Sequence, residues 1–338
     1  MSPDTTPSRR RPRPLTVVLG LLVLMLIGAV VGAIVVGPRF GLWVIPPSPA
    51  RYTEVALDTL QTGYHATTPA WEAARDAARE TGRTASTYEQ THAALKEATK
   101  AAGGKHSFFL TPAEYEESRG ESTAAFAPPT VTTTGRVTTV TVPAVGFATP
   151  EQQQQYADAA AKGIEAAAPN SCGWIVDLRG NTGGTMYPMI AGLVPLLPDG
   201  PGLVFRTNDG TDSTVSISDG GLGFGGPPTM ATSVRTKVTG QDIAVLYDEQ
   251  VASSGEAVAT MFRGVDGVRS FGTPTAGYTS GNTVIQLYDG ARLVLTQVMY
   301  VDRAGVNLNE EPLQPDEATG AADAEAAARA WLAQGSCR

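Results

Sequence analysis

An uncharged run of 23 residues at positions 15–37 (LTVVLGLLVLMLIGAVVGAIVVG) constrains this chain more than any other feature. A helix of that length extends about 35 Å and matches the ~30 Å hydrocarbon core of a bilayer. The alternative is a cleaved signal peptide, whose apolar region is usually shorter and ends at a small-residue cleavage site; no convincing site follows at once. The reading adopted is a retained signal anchor. Residues 1–14 hold four arginines, Arg9, Arg10, Arg11 and Arg13, against one acid, Asp4. Arginines ahead of the span keep this stub in the cytoplasm and send the rest outside, and the lone Arg39 beyond it does not reverse the bias.

That split gives the composition its meaning. The 338 residues carry a net charge of −8, but beyond residue 14 there are 21 basic and 32 acidic residues, a net −11. An acidic exported body argues against nucleic acid as a partner, which needs a basic face. The 42% apolar content excludes a wholly disordered chain. Export also places Cys172 and Cys337 in an oxidising compartment. They allow one intramolecular bridge, which would tether the C-terminal helix to the core; the alternative is two unpaired thiols.

The chain divides into a basic stub (1–14), the anchor (15–37), a linker (38–50, Pro-rich from Trp43), a helical region (51–112) and an α/β core (113–338). Residues 52–62, 69–81 and 86–102 have helical composition, with Pro69 at a first helical position. From residue 136 strands and helices alternate. Segments 136–142, 173–178 and 242–247 read as strands, 150–167, 186–197 and 254–263 as helices, and 318–333 as an Ala-rich terminal helix. This order predicts largely parallel strands. Residues 281–303 add at least two further strands. The Gly/Ser/Thr/Pro-rich stretch 206–235 reads as a surface loop or lid.

Three local features could carry chemistry. In Val251-Ala252-Ser253-Ser254-Gly255-Glu256, a serine stands between a buried strand and a helix. Free backbone N–H groups and the positive end of the helix dipole there would stabilise an oxyanion. The same pattern is an ordinary N-cap with Glu256 in the first turn, and both can hold at once. The Gly-rich turn at 179–184 follows a buried strand, so Gly183 or Gly184 could offer an oxyanion-hole amide, or the segment is a plain strand-to-helix turn. His106 follows Gly103-Gly104-Lys105 and precedes an apolar stretch; alone it reads as a structural histidine. His65 and His92 read as surface residues. No histidine pair has ligand spacing, so neither a metal nor another cofactor is expected. Gly221-Leu222-Gly223-Phe224-Gly225-Gly226 matches a dinucleotide fingerprint formally, but follows no buried strand and opens no helix.

Taken in order, VDLRGNTGG, VLYDEQVASSGEAVATMFRG, Gly272–Gly277 (GTPTAG), Tyr288-Asp289-Gly290, Asp302-Arg303 with Gly305, and Pro315-Asp316 resemble the C-terminal-processing (tail-specific) serine peptidases. The resemblance covers roughly residues 52–318. It is nearest to the nisin-resistance-protein-like and tricorn-like branch. It implies a crotonase/ClpP-like α/β core preceded by the anchor and a small helical bundle. Ser-Lys members place a lysine where this chain has Tyr278, whereas the Ser-His branch takes its base from a segment matching His106-Ser107. The resemblance therefore implies Ser253 as nucleophile, His106 as base, and Ser254 with Gly183 or Gly184 as oxyanion donors. An acid usually precedes that histidine, where this chain has Gly104; Glu310 and Glu311 are candidate orienting acids. Only 66 residues separate His106 from Gly173, too few for a substrate-binding PDZ insert. The implied activity is cleavage of peptides or exposed protein tails by a membrane-anchored extracytoplasmic endopeptidase. The weighed alternatives are a non-catalytic peptide- or ligand-binding protein on the same fold, and a crotonase-type acyl-CoA enzyme, which export disfavours.

Overall fold

The computed structural model describes residues 25–26, 28–30, 46–124 and 126–338. The stub and nearly all of the anchor lie outside the described residues; among those described, no helix is long and apolar enough to cross a membrane.

Helix α1 (Pro49–Leu60) and helix α2 (Pro69–Thr84) open on one local signal, a hydroxyl residue followed by proline. Ser48 Oγ accepts the Arg51 N–H at 3.2 Å and Thr68 Oγ1 the Trp71 N–H at 3.3 Å. Proline costs nothing at the first helical position, where its missing N–H would be unsatisfied. Helix α3 (Glu89–Gly103) packs with them around Tyr52, Leu57, Leu60, Trp71 and Leu95. This bundle also encloses Phe109, Leu287, Leu293 and Leu295 from the following sheet, so helical region and core share an apolar interior.

Strand β1 (Phe108–Leu110) and helix α4 (Pro112–Ala124) lead into the hairpin β2 (Thr130–Thr134) and β3 (Val137–Thr141). Helix α5 (Pro150–Ala167) repeats the Thr-Pro start, with Thr149 and Gln152 forming a reciprocal capping box. Next come β4 (Gly173–Asp177), α6 (Met186–Leu193) and the strands β5 (Gly200–Arg206), β6 (Asp212–Ser218), β7 (Gly221–Gly223) and β8 (Met230–Ala231). The chain then forms β9 (Asp242–Tyr247), α7 (Ser254–Phe262), β10 (Val268–Gly272), β11 (Ser280–Gln286), β12 (Arg292–Val301), β13 (Glu317–Ala318) and α8 (Ala324–Gln334).

Among the described residues the strands form two sheets. One has the order β13-β10-β9-β4-β3-β2, parallel except for the β2–β3 hairpin. Strands β4 and β9 are buried on both sides, as parallel strands covered by helices must be. Trp174, Val176 and Val245 face α5, α6 and α7, while Ile175, Ala244 and Leu246 face Ala324, Ala328 and Leu332 of α8. The Cys172 and Cys337 sulfurs are bonded, with 4.9 Å between their Cα atoms, and fasten the end of α8 beside the start of β4.

The second sheet, β1-β12-β5-β6-β7-β8 with β11 also on β12, is antiparallel. It corrects one expectation. Residues 206–235 are not a surface loop or lid: they supply β6, β7 and β8, and their Val215, Ile217 and Leu222 are buried in the main core. The many small polar residues masked the apolar alternation, which places Val215 and Ile217 inward between threonine and serine. His92 also departs from its surface assignment. It is buried, and its Nε2 lies 2.8 Å from Asp289 Oδ2.

Candidate active site

The turns after β4 and β9 meet at the carboxyl ends of the parallel strands, where open α/β sheets form their crevices. Ser253 stands at the start of α7 with φ 52° and ψ −115°. A non-glycine residue with this backbone costs of order 1–3 kcal/mol and must be held by its surroundings. Its N–H donates to Glu256 Oε2 at 2.9 Å, its carbonyl accepts the Ala257 N–H, and the preceding Ala252 N–H donates to the Asn181 carbonyl.

Glu256 is fully buried and gathers four donors. The Thr275 hydroxyl and Gly277 N–H bind Oε1 at 2.5 and 2.8 Å; the Ser253 and Tyr278 N–H groups bind Oε2 at 2.9 and 2.7 Å. Burial pushes its carboxyl above the usual range, against the opposing pull of these four bonds. One carboxylate thus clamps the Ser253 elbow to the segment that ends at Tyr278.

Tyr278 in turn packs on His106, with ring centroids 4.9 Å apart. His106 is buried, and its Nδ1 lies 2.8 Å from Ser280 Oγ. The Ser280 hydroxyl donates to Glu310 Oε1 at 2.6 Å. The direction of this chain follows from its end. Ser280 has one hydroxyl proton and gives it to Glu310, so it must accept the proton of His106 Nδ1. The tautomer with a bare Nε2 lone pair is thereby selected. Burial, helped by the neighbouring Lys105 ammonium, pulls the His106 pKa down to about 4, so the ring is neutral near pH 7. Asn282 Nδ2 donates to the His106 carbonyl at 2.8 Å and fixes the backbone as well.

Of the two candidate acids, the structure brings only Glu310 to the histidine. Glu311 points to solvent. Gly104, where the resembling peptidases usually carry an acid, has φ 83°, and a Cβ there would stand 3.0 Å from the His65 ring and 3.7 Å from Glu310 Oε2, so a side chain at this position would be strained and crowded. Lys105 Nζ binds the Glu310 carbonyl at 2.6 Å and lies 5.3 Å from the Tyr278 ring centroid.

The glycine turn approaches the same elbow. A Cβ on Gly183 would lie 3.0 Å from Ser253 Cβ and 3.2 Å from Ser254 N, and one on Gly184 only 1.8 Å from the Val145 carbonyl oxygen. Both have φ near +100°, so only glycine fits. Their amides differ. Gly183 N–H is committed to Asn181 Oδ1 at 2.9 Å, which removes it as a ready oxyanion donor. The Gly184 and Ser254 N–H groups donate to nothing among the described residues, and the Ser254 hydroxyl binds the Gly184 carbonyl at 2.7 Å. Sequence reading missed Ser280, Asn181 and Asn282. Asn181 lies within a turn already singled out; Ser280 carries no signal, because a serine opening a strand is common.

A strained serine at a strand-to-helix elbow, at the carboxyl ends of the parallel strands of a mixed α/β core, marks the serine peptidase class. The chain belongs to peptidase family S41, whose model matches residues 136–319. It is 33% identical over 298 residues to the nisin-resistance protein of Lactococcus lactis subsp. lactis, covering 88% of this chain and 91% of that protein. A lipoprotein from Streptococcus agalactiae superposes with a TM-score of 0.75 at 28% identity, covering 87% of this chain and 99% of that one. The photosystem II D1 C-terminal processing protease shares the fold at a TM-score of 0.60 and 15% identity, over 82% of this chain and 94% of that chain.

Proposed function

We propose that the chain is a membrane-anchored, extracytoplasmic serine endopeptidase in which Ser253 is the nucleophile and His106 the general base. The observation that carries this reading is the Glu310–Ser280–His106 relay, which leaves Nε2 as an acceptor. His106 Nε2 takes the Ser253 hydroxyl proton as Oγ bonds to the substrate carbonyl carbon. The Gly184 and Ser254 N–H groups receive the oxyanion. The C–N bond then breaks, His106 returns the proton to the leaving amine, and an acyl-enzyme remains. Water, deprotonated by His106, releases the acid and regenerates Ser253. Glu310 stabilises the transient imidazolium through Ser280 without taking its proton.

Ser253→Ala and His106→Ala are expected to lower cleavage of an unstructured peptide library by at least about 10³-fold. Wild type cleaving no better than both variants would leave a peptide-binding protein on a peptidase fold. A fluorophosphonate label on any residue but Ser253 would overturn the nucleophile assignment.

Substrates in this reading are peptides or exposed protein tails outside the membrane. The relative named for nisin resistance favours a cationic antimicrobial peptide, which a body of net −11 would attract modestly. The uncharged run at 15–37, the arginines before it and the Cys172–Cys337 bond support export on an anchor. In intact cells, external protease is expected to digest residues 51–338 from the membrane fraction. Full protection would refute that topology.

A further inference from the structure

We propose that the face of the β1–β12–β11 sheet bearing His106 is an apolar platform for the substrate, and that it selects extended segments with large apolar side chains beside the scissile bond. This rests on the serine endopeptidase reading above and adds to it a specificity surface.

Register alone puts the residues together. Phe108 pairs with Val294, and Val294 with Val284, so the three side chains form one rung across three strands and share a face. His106 lies in the turn two residues before Phe108, and the two rings stand 6.3 Å apart. The neighbouring positions Phe109, Leu293 and Ile285 point the opposite way, into the helical bundle. That bundle already satisfies the core-building role of this sheet. Among the described residues the outer rung has no such partner: Phe108 is 42% exposed and Val284 58% exposed, on strands whose inner faces are closed. The rung stands out from isolated surface hydrophobics, because Phe108 joins it to His106 and Val294 joins Phe108 to Val284.

The platform continues on both sides of the chemistry. One rung further, Arg292 lies over the Tyr115 ring at 4.1 Å from its centroid, and Tyr115 meets Phe147 edge-on at 5.6 Å. Phe147 is 41% exposed and follows Val145, which bridges to Gly184 in the glycine turn. Aromatic side chains therefore run from the His106 side through Tyr115 to Phe147, two residues beyond the segment that bridges to Gly184. In an extended substrate alternate side chains lie about 7 Å apart on one face, so a segment crossing this floor sets apolar residues at every second position against it. Burying one such side chain suffices for about tenfold in affinity.

The test uses two short fluorescein-labelled peptides of equal length, one with leucine or phenylalanine at alternate positions and one with serine or threonine there. Binding is read by anisotropy on the Ser253→Ala protein, and cleavage by wild type, Phe108→Ser and Val284→Ser. We expect the apolar peptide to bind the Ser253→Ala protein at least about tenfold more tightly. Val284→Ser and Phe108→Ser should each raise KM for the apolar peptide severalfold, with kcat within about twofold and the polar peptide unaffected. Val284→Ser added to the Ser253→Ala protein should lose the apolar preference. Equal binding of the two peptides, or a preference that survives both substitutions, overturns the platform. Binding preference without any cleavage upholds the platform and counts against the peptidase reading alone, so the two can fail separately.

Discussion

Replacing Ser280 by alanine removes one oxygen, yet that oxygen is the whole connection between His106 and Glu310. In the folded protein Ser280 Oγ lies 2.8 Å from His106 Nδ1 and 2.6 Å from Glu310 Oε1, and Ser280 and Glu310 are both buried. Its loss leaves the Nδ1 proton without an acceptor and the carboxylate without its donor. Hydrogen bonds to charged groups are worth about 1.5–3 kcal/mol, so kcat should fall about 10- to 150-fold with KM nearly unchanged. Glu310→Ala should do at least as much damage. Without the carboxylate, the Ser280 hydroxyl can turn and donate to Nδ1, which stabilises the tautomer protonated on Nε2 and so removes the base. Because the two residues act in series, Ser280→Ala/Glu310→Ala should lose little more activity than Glu310→Ala alone. The assay is steady-state cleavage of one fluorogenic peptide by the four proteins, with thermal unfolding confirming that each is folded. Losses that multiply in the double variant, or a Ser280→Ala enzyme within about twofold of wild type, would refute the relay.

Two further outcomes follow from the same geometry. His106 is held near pKa 4 by burial, against an ordinary value of 6.5, so the unfolded chain takes up a proton between these values that the folded chain refuses. Its contribution to stability is therefore complete above pH 6.5 and lost as pH falls towards 4, about 3 kcal/mol in all; denaturant titrations of wild type and His106→Ala should converge across that window. The acid limb of kcat/KM should likewise lie near pH 4–5, and a limb at 6.5 would contradict the buried, neutral base. Glu256→Gln should be costly, because one oxygen cannot replace two: the amide NH2 must face either the Ser253 and Tyr278 N–H groups or the Thr275 and Gly277 donors. A loss of about 3 kcal/mol or more in chemical denaturation, together with falling kcat, is expected; a silent substitution would mean the clamp does not position Ser253.

What the sequence disclosed and what it withheld divide along the range of the interactions. Helix starts were legible because their cause is local: Thr68-Pro69 and Thr149-Pro150 cap and begin a helix within four residues. The parallel strands 173–178 and 242–247 were legible because burial on both faces leaves no room for polar alternation. The segment 206–235 was misread because serine and threonine thread β6, glycines fill β7 and the turns around it, and β8 is only two residues, so only Val215, Ile217 and Leu222 mark an inward face. Ser253 and His106 came from ordered motifs. Their setting did not, because it is made by contacts across 174 residues from His106 to Ser280 and a further 30 to Glu310.

Backbone conformation, not residue type, separates Glu310 from Glu311. The two are adjacent and chemically identical, and no spacing rule separates them. Backbone conformation does: Asn309 and Glu310 both have positive φ, 49° and 56°, and this tight reversal turns the Glu310 side chain inward while leaving Glu311 outside. Two consecutive left-handed non-glycine residues are expensive. They are held by the Lys105 ammonium on the Glu310 carbonyl and by the Ser280 hydroxyl on its carboxylate. The same lysine neighbours His106 in sequence and helps keep it neutral. The strain at Glu310 and the strain at Ser253 thus sit at the two ends of one hydrogen-bonded frame, with Glu256 and Tyr278 between them, so relaxing either end would shift the proposed base and the proposed nucleophile together.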